Sequence, residues 1–150
     1  MSESVPSVAT AAKGDVIGEL RHRLTRESLV RYAGASGDFN PIHWSDRIAS
    51  AMGLPGVIAH GMLTMGVAVR VVTDWLGGTE RIVSYQTRFA SPVLVPDDDA
   101  GTELVVRGTV SEVGEETLTV LVDCRCVRPD DAEGAGDKVL GAARAVVRRA

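Results

Sequence analysis

Between Ile58 and Leu76 the chain runs for nineteen residues with only two formal charges, Arg70 and Asp74. Read as a helix, this segment is about 28 Å long at 1.5 Å per residue. It is apolar nearly all round, so it has to be buried on most sides, and something must wrap about it. The Val67–Val72 portion would also suit a strand. The length of the run and its Met-rich, Gly-spaced first half favour the helix. A membrane span is a poor fit, although Met52–Val69 carries no formal charge: Gly53, Pro55, Gly56, His60, Gly61, Thr64 and Gly66 interrupt it, and Arg70 and Asp74 close it.

The wrapping material lies next in the chain. After Gly77-Gly78 the pattern predicts strands over Arg81–Phe89, Glu103–Val113, Thr117–Val127 and Val139–Arg148, with Gly114-Glu115-Glu116 as a hairpin loop. Pro96–Gly101 and Arg128–Asp137 read as polar connections, the second with an acidic insert at Asp130-Asp131-Ala132-Glu133. Ahead of the long helix, Val16–Leu24 partly alternates and predicts a first strand. Thr25 then reads as the N-cap of a helix over Arg26–Ala35, which Gly34, Ser36 and Gly37 stop. Ser45 or Asp46 is placed to cap another short helix through Ala51. A helix-rich first half and a strand-rich second half predict an α+β domain with an antiparallel sheet. Met1–Ala12 has neither the basic start nor the apolar run of a signal peptide. We therefore expect a flexible tail over residues 1–13 and a single domain over 14–150.

Charge narrows the functional classes. Sixteen basic against twenty acidic residues leave a net charge of −4, a poor basis for a phosphate-binding groove, so no nucleic-acid partner is expected. The two cysteines, Cys124 and Cys126, lie two apart in a predicted strand and share a face. They make a poor structural disulfide and fit a reducing compartment, so a cytoplasmic location is expected.

Three histidines stand at positions 22, 43 and 60. Asp38 and His43 are five apart, about 140° around a helix and on opposite faces of a strand, so neither regular structure brings them together. Between them, Gly37 permits an unusual backbone angle, Pro41 fixes φ, and Asn40 is pushed to an extended conformation by the proline after it. A rigid irregular turn of this kind can aim both groups at one point. A carboxylate and an imidazole so held form an acid–base pair that works near neutral pH. The same residues also suit an Asx turn with His43 exposed beside it. A third reading makes Asp38, His43 and His60 metal ligands, but no cysteine or carboxylate cluster supports it.

The segment Tyr32-Ala33-Gly34-Ala35-Ser36-Gly37-Asp38-Phe39-Asn40-Pro41-Ile42-His43 closely resembles the signature of the MaoC-like (R)-specific enoyl hydratases and dehydratases. Ile58-Ala59-His60-Gly61-Met62-Leu63-Thr64 resembles that family's second block, at the start of its central helix. Within the family the chain looks most like the catalytic B subunit of the (3R)-hydroxyacyl-acyl-carrier-protein dehydratase of type II fatty-acid synthesis. The resemblance covers the chain from about Gly14 onward. It implies a hot-dog fold, a long helix wrapped by an antiparallel sheet, and reversible dehydration of (3R)-hydroxyacyl thioesters to trans-2-enoyl thioesters, linked to acyl carrier protein or coenzyme A. No metal or redox cofactor is implied.

Under the resemblance Asp38 and His43 become the catalytic pair. Gly61, at a helix N-terminus whose N–H groups lack intrahelical partners, binds the thioester carbonyl. Asn40 and Pro41 hold the turn. His60 reads as a packed or capping residue and, with Met62 and Leu63, as a candidate to line the substrate's path. Arg81, Arg88, Arg148 and Arg149 are candidates to meet coenzyme A phosphates or an acidic carrier protein, although scattered arginines are commonly solvated surface. Some single-chain hydratases place a serine about two turns after the helix glycine, where this chain has Val67-Ala68-Val69. That fits a catalytic subunit paired with a related chain lacking the Asp–His pair; a homodimer is the other expectation. Two rivals remain at this level: a hot-dog thioesterase, and a non-catalytic hot-dog scaffold subunit.

Overall fold

The computed structural model describes residues 5–128, 131 and 136–150. Strand β1 (Val16–Leu24) leads to helix α1 (Arg26–Ser36), a 3-10 turn (Pro41–His43), α2 (Asp46–Ala51) and the long α3 (Gly61–Leu76). Then come β2 (Ile82–Phe89), β3 (Thr102–Val113), β4 (Thr117–Val127), the short β5 (Asp137–Lys138) and β6 (Leu140–Arg148). The strands form one sheet in the order β1-β3-β4-β6-β2, with β5 on β4 and every pairing antiparallel. Alternation read from the residues thus predicts both the type and, within a residue or two, the limits of each long strand.

Helix α3 packs against all five long strands. Thr64, Val67, Ala68, Val71 and Val72 are buried, a set spaced i, i+3, i+4 that faces the sheet. Only the stripe Met62, Gly66, Arg70, Asp74 is exposed. Burial on most sides is therefore what the helix has. Around it Leu24, Leu29, Leu104, Leu118 and Leu140 are fully buried, each contributing about 1.5–3 kcal/mol of transfer free energy. No helix among the described residues is long and apolar enough to cross a membrane.

Two expectations change. The long helix starts at Gly61, three residues later than expected, because Val57–Ala59 pairs with Val93–Val95 instead: Ala59 N–H donates to Val93 O at 2.8 Å and Val95 N–H to Val57 O at 3.0 Å. Extended residues anchored by a distant segment cannot also be helical. The flexible tail is corrected over its described part. Val8 and Ala11 are buried, Trp75 donates its indole N–H to Pro6 O at 2.7 Å, and Arg149 reaches Ala9 O at 3.0 Å. Apolar burial and an acceptor for a half-buried indole tie the segment down. Residues 1–4 and, in the Arg128–Asp137 connection, 129–130 and 132–135 lie outside the described residues, and with them most of the acidic insert.

Candidate active site

The turn that carries Asp38 begins where α1 is forced to stop. Thr25 and Ser28 form a reciprocal capping box at its start, and Gly37, at φ 76°, ends it with its N–H on Ala33 O. Asp38 Oδ1 then accepts the N–H of Asn40 at 3.1 Å, and Asn40 Oδ1 accepts that of Ile42 at 3.2 Å, with Pro41 at the first position of the 3-10 turn. The Asx turn is therefore real, and it is also the device that aims the side chains. Asp38 keeps Oδ2 for other work, half exposed, 3.9 Å from Nε2 of His43.

His43 is buried, not exposed beside the turn. Its Nδ1 lies 2.7 Å from Ile58 O. A carbonyl oxygen only accepts, so Nδ1 carries the hydrogen and Nε2, the atom facing Asp38, has the free lone pair. Ile58 is fixed in turn by its N–H on Ile42 O. A gap of 3.9 Å is too long for a direct hydrogen bond and leaves a reacting oxygen or carbon room to address both groups.

His43 also lines a cleft of about 300 Å³, together with Ile58, Gly61, Thr64, Phe89 and Val93. Gly61 opens α3, and His60 before it makes no side-chain cap, so side chains leave the first N–H groups of the helix free. A Cβ on Gly61 would stand 3.0 Å from the Phe89 ring, so glycine is what lets that ring close on the helix start. Phe89 lies beyond a bulge: Gln86 pairs Arg144 but Arg88 pairs Gly141, and Ala142, inside the extra residue's stretch, has φ 51°. Bulges bend a strand and re-aim the side chains past them. Phe89 and Thr64 were not legible as lining residues, since Phe89 belongs to a distant strand and Thr64 reads as an ordinary helix position.

Gly61, the candidate carbonyl binder, lines the cleft, whereas the candidate lining residues His60, Met62 and Leu63 do not. Met62 is 60% exposed on the outer stripe of α3, and Leu63 packs against the core. His60 lies beneath the cleft, 1% exposed. Its ring stacks on His43 with centroids 3.8 Å apart and meets Tyr32 edge-on at 4.8 Å. Nε2 donates to Asp38 O at 3.0 Å, and Nδ1 has no partner among the described residues, at a cost of about 1–3 kcal/mol. Arg81 and Arg149 spend guanidinium hydrogens on the Arg149, Gly114 and Ala9 carbonyls, a structural task. Ser45 caps α2, its hydroxyl accepting Ile48 N–H, and Asp46, the other candidate for that cap, has a different task. It accepts Val57 N–H and the Arg26 guanidinium, which hold its carboxyl below the usual range, and Arg26 also reaches Val95 O.

The ligand-capable atoms of Asp38, His43 and His60 lie within 4.8 Å of one another. The two rings, however, are only 24° from parallel, so their in-plane lone pairs run side by side and do not converge as a metal requires. The arrangement suits proton transfer. Thiol chemistry is disfavoured too: Cys124 and Cys126 are free and buried, and burial pushes the Cys124 thiol up to about 12.

Burial, reinforced by the proximity of His43, holds His60 below the ordinary histidine value; the hydrogen bond to Asp38 works the other way without reversing it. Burial and then Arg70 do the same for His22. Below pH 6.5 the unfolded chain therefore binds protons that the folded chain refuses. Stability is full above that value and falls as pH drops toward the folded values. We expect a lower Tm at pH 5.5 than at pH 7.5, with a smaller difference in His60→Phe. Equal differences in parent and variant would remove His60 from this account.

The comparisons with known proteins agree with this geometry. A family model described as MaoC like domain matches residues 7–124. The 3-hydroxyacyl-thioester dehydratase X of Mycobacterium tuberculosis is 37% identical over 106 residues, 65% of this chain and 37% of that protein. A solved MaoC-like dehydratase superposes with a TM-score of 0.84 at 35% identity, covering 96% of this chain and 42% of the other. A chain of the ChsH1–ChsH2 complex from M. tuberculosis gives a TM-score of 0.74 at 26% identity, covering 93% and 99%. The chain thus spans about two fifths of the first two relatives. Matched over most of its length by the family model, and with its helix and sheet arranged as in these hot-dog neighbours, the chain belongs to the MaoC-like dehydratase family.

Proposed function

We propose that the chain catalyses the reversible dehydration of (3R)-hydroxyacyl thioesters to trans-2-enoyl thioesters, carried on acyl carrier protein or coenzyme A. The observation that carries this is the pair of atoms Asp38 Oδ2 and His43 Nε2, 3.9 Å apart, with His43 lining the cleft at the start of the long helix. In the dehydration direction His43 Nε2 takes the α-proton. The developing enolate oxygen rests on the Gly61 N–H at the positive end of α3, an interaction of the kind whose loss costs about 10²–10³ in rate. The departing β-hydroxyl receives a proton from the pair, directly from His43 or through Asp38, and leaves as water with both residues restored. No group of the chain has to form a covalent bond to substrate.

A second hot-dog subunit, identical or related, fits the open edge of the sheet. Among the described residues strand β2 pairs only with β6, and Val83 and Phe89 on it are each 55% exposed. The ChsH1–ChsH2 neighbour is such a complex. We assign the reaction to the cytoplasm, where buried free thiols such as Cys124 and Cys126 persist. Hydration of crotonyl-CoA, followed by loss of enoyl absorbance, tests the activity on the purified chain and on complexes with candidate partner subunits. The expected result is loss of the enoyl signal without release of free thiol. Thiol release would mark a thioesterase, and silence in every complex would leave the scaffold role.

A further inference from the structure

His60 is the one buried titratable side chain at the site to which the proposed proton transfers give no task. Three contacts place it. Nε2–H reaches Asp38 O at 3.0 Å, the ring face lies 3.8 Å from that of His43, and the ring edge meets Tyr32. His60 is also the N-cap of α3, and its carbonyl accepts Thr64 N–H at 3.2 Å. One side chain therefore touches the acid's main chain and the base's ring while its own backbone starts the helix that presents Gly61.

The choice of residue is informative. A phenyl ring would fill the same space and stack equally well, without stranding a nitrogen in the interior. What phenylalanine lacks is an edge donor for Asp38 O. An amide has the donor but not the ring face that keeps His43 flat against it. Histidine supplies both, and Nδ1, which has no partner among the described residues, is what is given up in return. The groups facing His60 are Asp38, His43 and Tyr32; with His43 stacked directly on it, a second positive charge at His60 is unfavourable, so the ring is held neutral with its hydrogen on Nε2.

We propose that His60 is a positioning residue for the Asp38–His43 pair, a neutral Nε2–H imidazole that sets the distance between acid and base by holding the Asp38 backbone and the His43 ring at once. The inference rests on the dehydratase reading for its kinetic consequence, but not for its structural one.

The test uses the whole chain and two substitutions, His60→Phe, which keeps the ring, and His60→Gln, which keeps a donor. Long-range proton–nitrogen NMR of the parent should show His60 neutral with hydrogen on Nε2 at pH 7. Both variants should fold, shift the His43 titration curve and lower kcat about 10²-fold, the scale of a small misplacement of reacting groups, with KM little changed; His60→Gln should recover part of the loss. A His60 cation, the Nδ1–H form, or a folded His60→Phe protein with the parent's kcat and His43 titration would overturn the proposal. If no enoyl thioester is turned over by the parent, alone or in any complex with a partner subunit, the dehydratase reading fails on its own, and the tautomer with the His43 titration still decides this one. If His60→Phe does not fold, the parent tautomer and His60→Gln decide it.

Discussion

Asp38→Asn is expected to lower kcat for enoyl hydration by about 10²–10⁴, the usual contribution of a positioned acid–base group, while leaving the fold in place. The two halves of that expectation come from different oxygens. Oδ1 holds the turn by accepting Asn40 N–H at 3.1 Å, and an asparagine Oδ1 accepts the same bond. Oδ2 faces His43 Nε2 across 3.9 Å, and an amide there cannot exchange a proton. His43→Ala should lose a similar factor and also stability, because the Ile58 carbonyl loses its 2.7 Å donor, worth about 1–3 kcal/mol when a buried acceptor is stranded. Steady-state rates beside near-UV circular dichroism and Tm separate these effects. Parent-level turnover in a folded Asp38→Asn protein would sink the acid–base assignment.

The largest effect on stability is expected far from the chemistry, at Gly101. Its φ is 65°, and a Cβ there would run into Leu24 O and lie 3.1 Å from Thr25 Cγ2. The first obstacle is backbone, so no rotamer change relieves it. Left-handed strain and overpacking together make Gly101→Ala cost about 3–5 kcal/mol, or roughly 10 °C in Tm for a domain of this size. The damage also travels: Leu24 ends β1, and Thr25 caps α1, the helix whose end sets the Asp38 turn. Gly34→Ala is the control. It sits in α1 with nothing within 4 Å of the new methyl, and should gain up to about 1 kcal/mol. Thermal melts of the two proteins should move in opposite directions, and a Gly101→Ala protein as stable as the parent would show that the β1–β3 junction relaxes.

Local patterning accounts for much of this protein. Alternation marks β1 and β4 to the residue and the others nearly so, because strand faces differ in burial and burial selects apolar side chains. Capping chemistry marks α1 and α2 through Thr25 and Ser45, since helix ends need donors satisfied within a few residues. Gly37, Asn40 and Pro41 announce a rigid turn between Asp38 and His43, and the resemblance to the MaoC-like signature names what such a turn is for.

The rest was decided by residues far apart in the chain. Helix α3 begins at Gly61 because Val57–Ala59 is claimed by Val93–Val95, a pairing that no window around residue 58 contains. Val8 and Ala11 leave the tail because the folded domain offers them a surface. Phe89 reaches Gly61 only after β2 has paired with the bulged β6, and His60, which reads as a capping or lining residue, becomes a strut because folding stacks it on His43. Sequence periodicity and turn chemistry report short-range preferences, which act before the chain is closed. The distance between acid and base, the shape of the cleft and the tautomer of His43 depend on contacts that exist only once distant segments have paid the entropy of coming together.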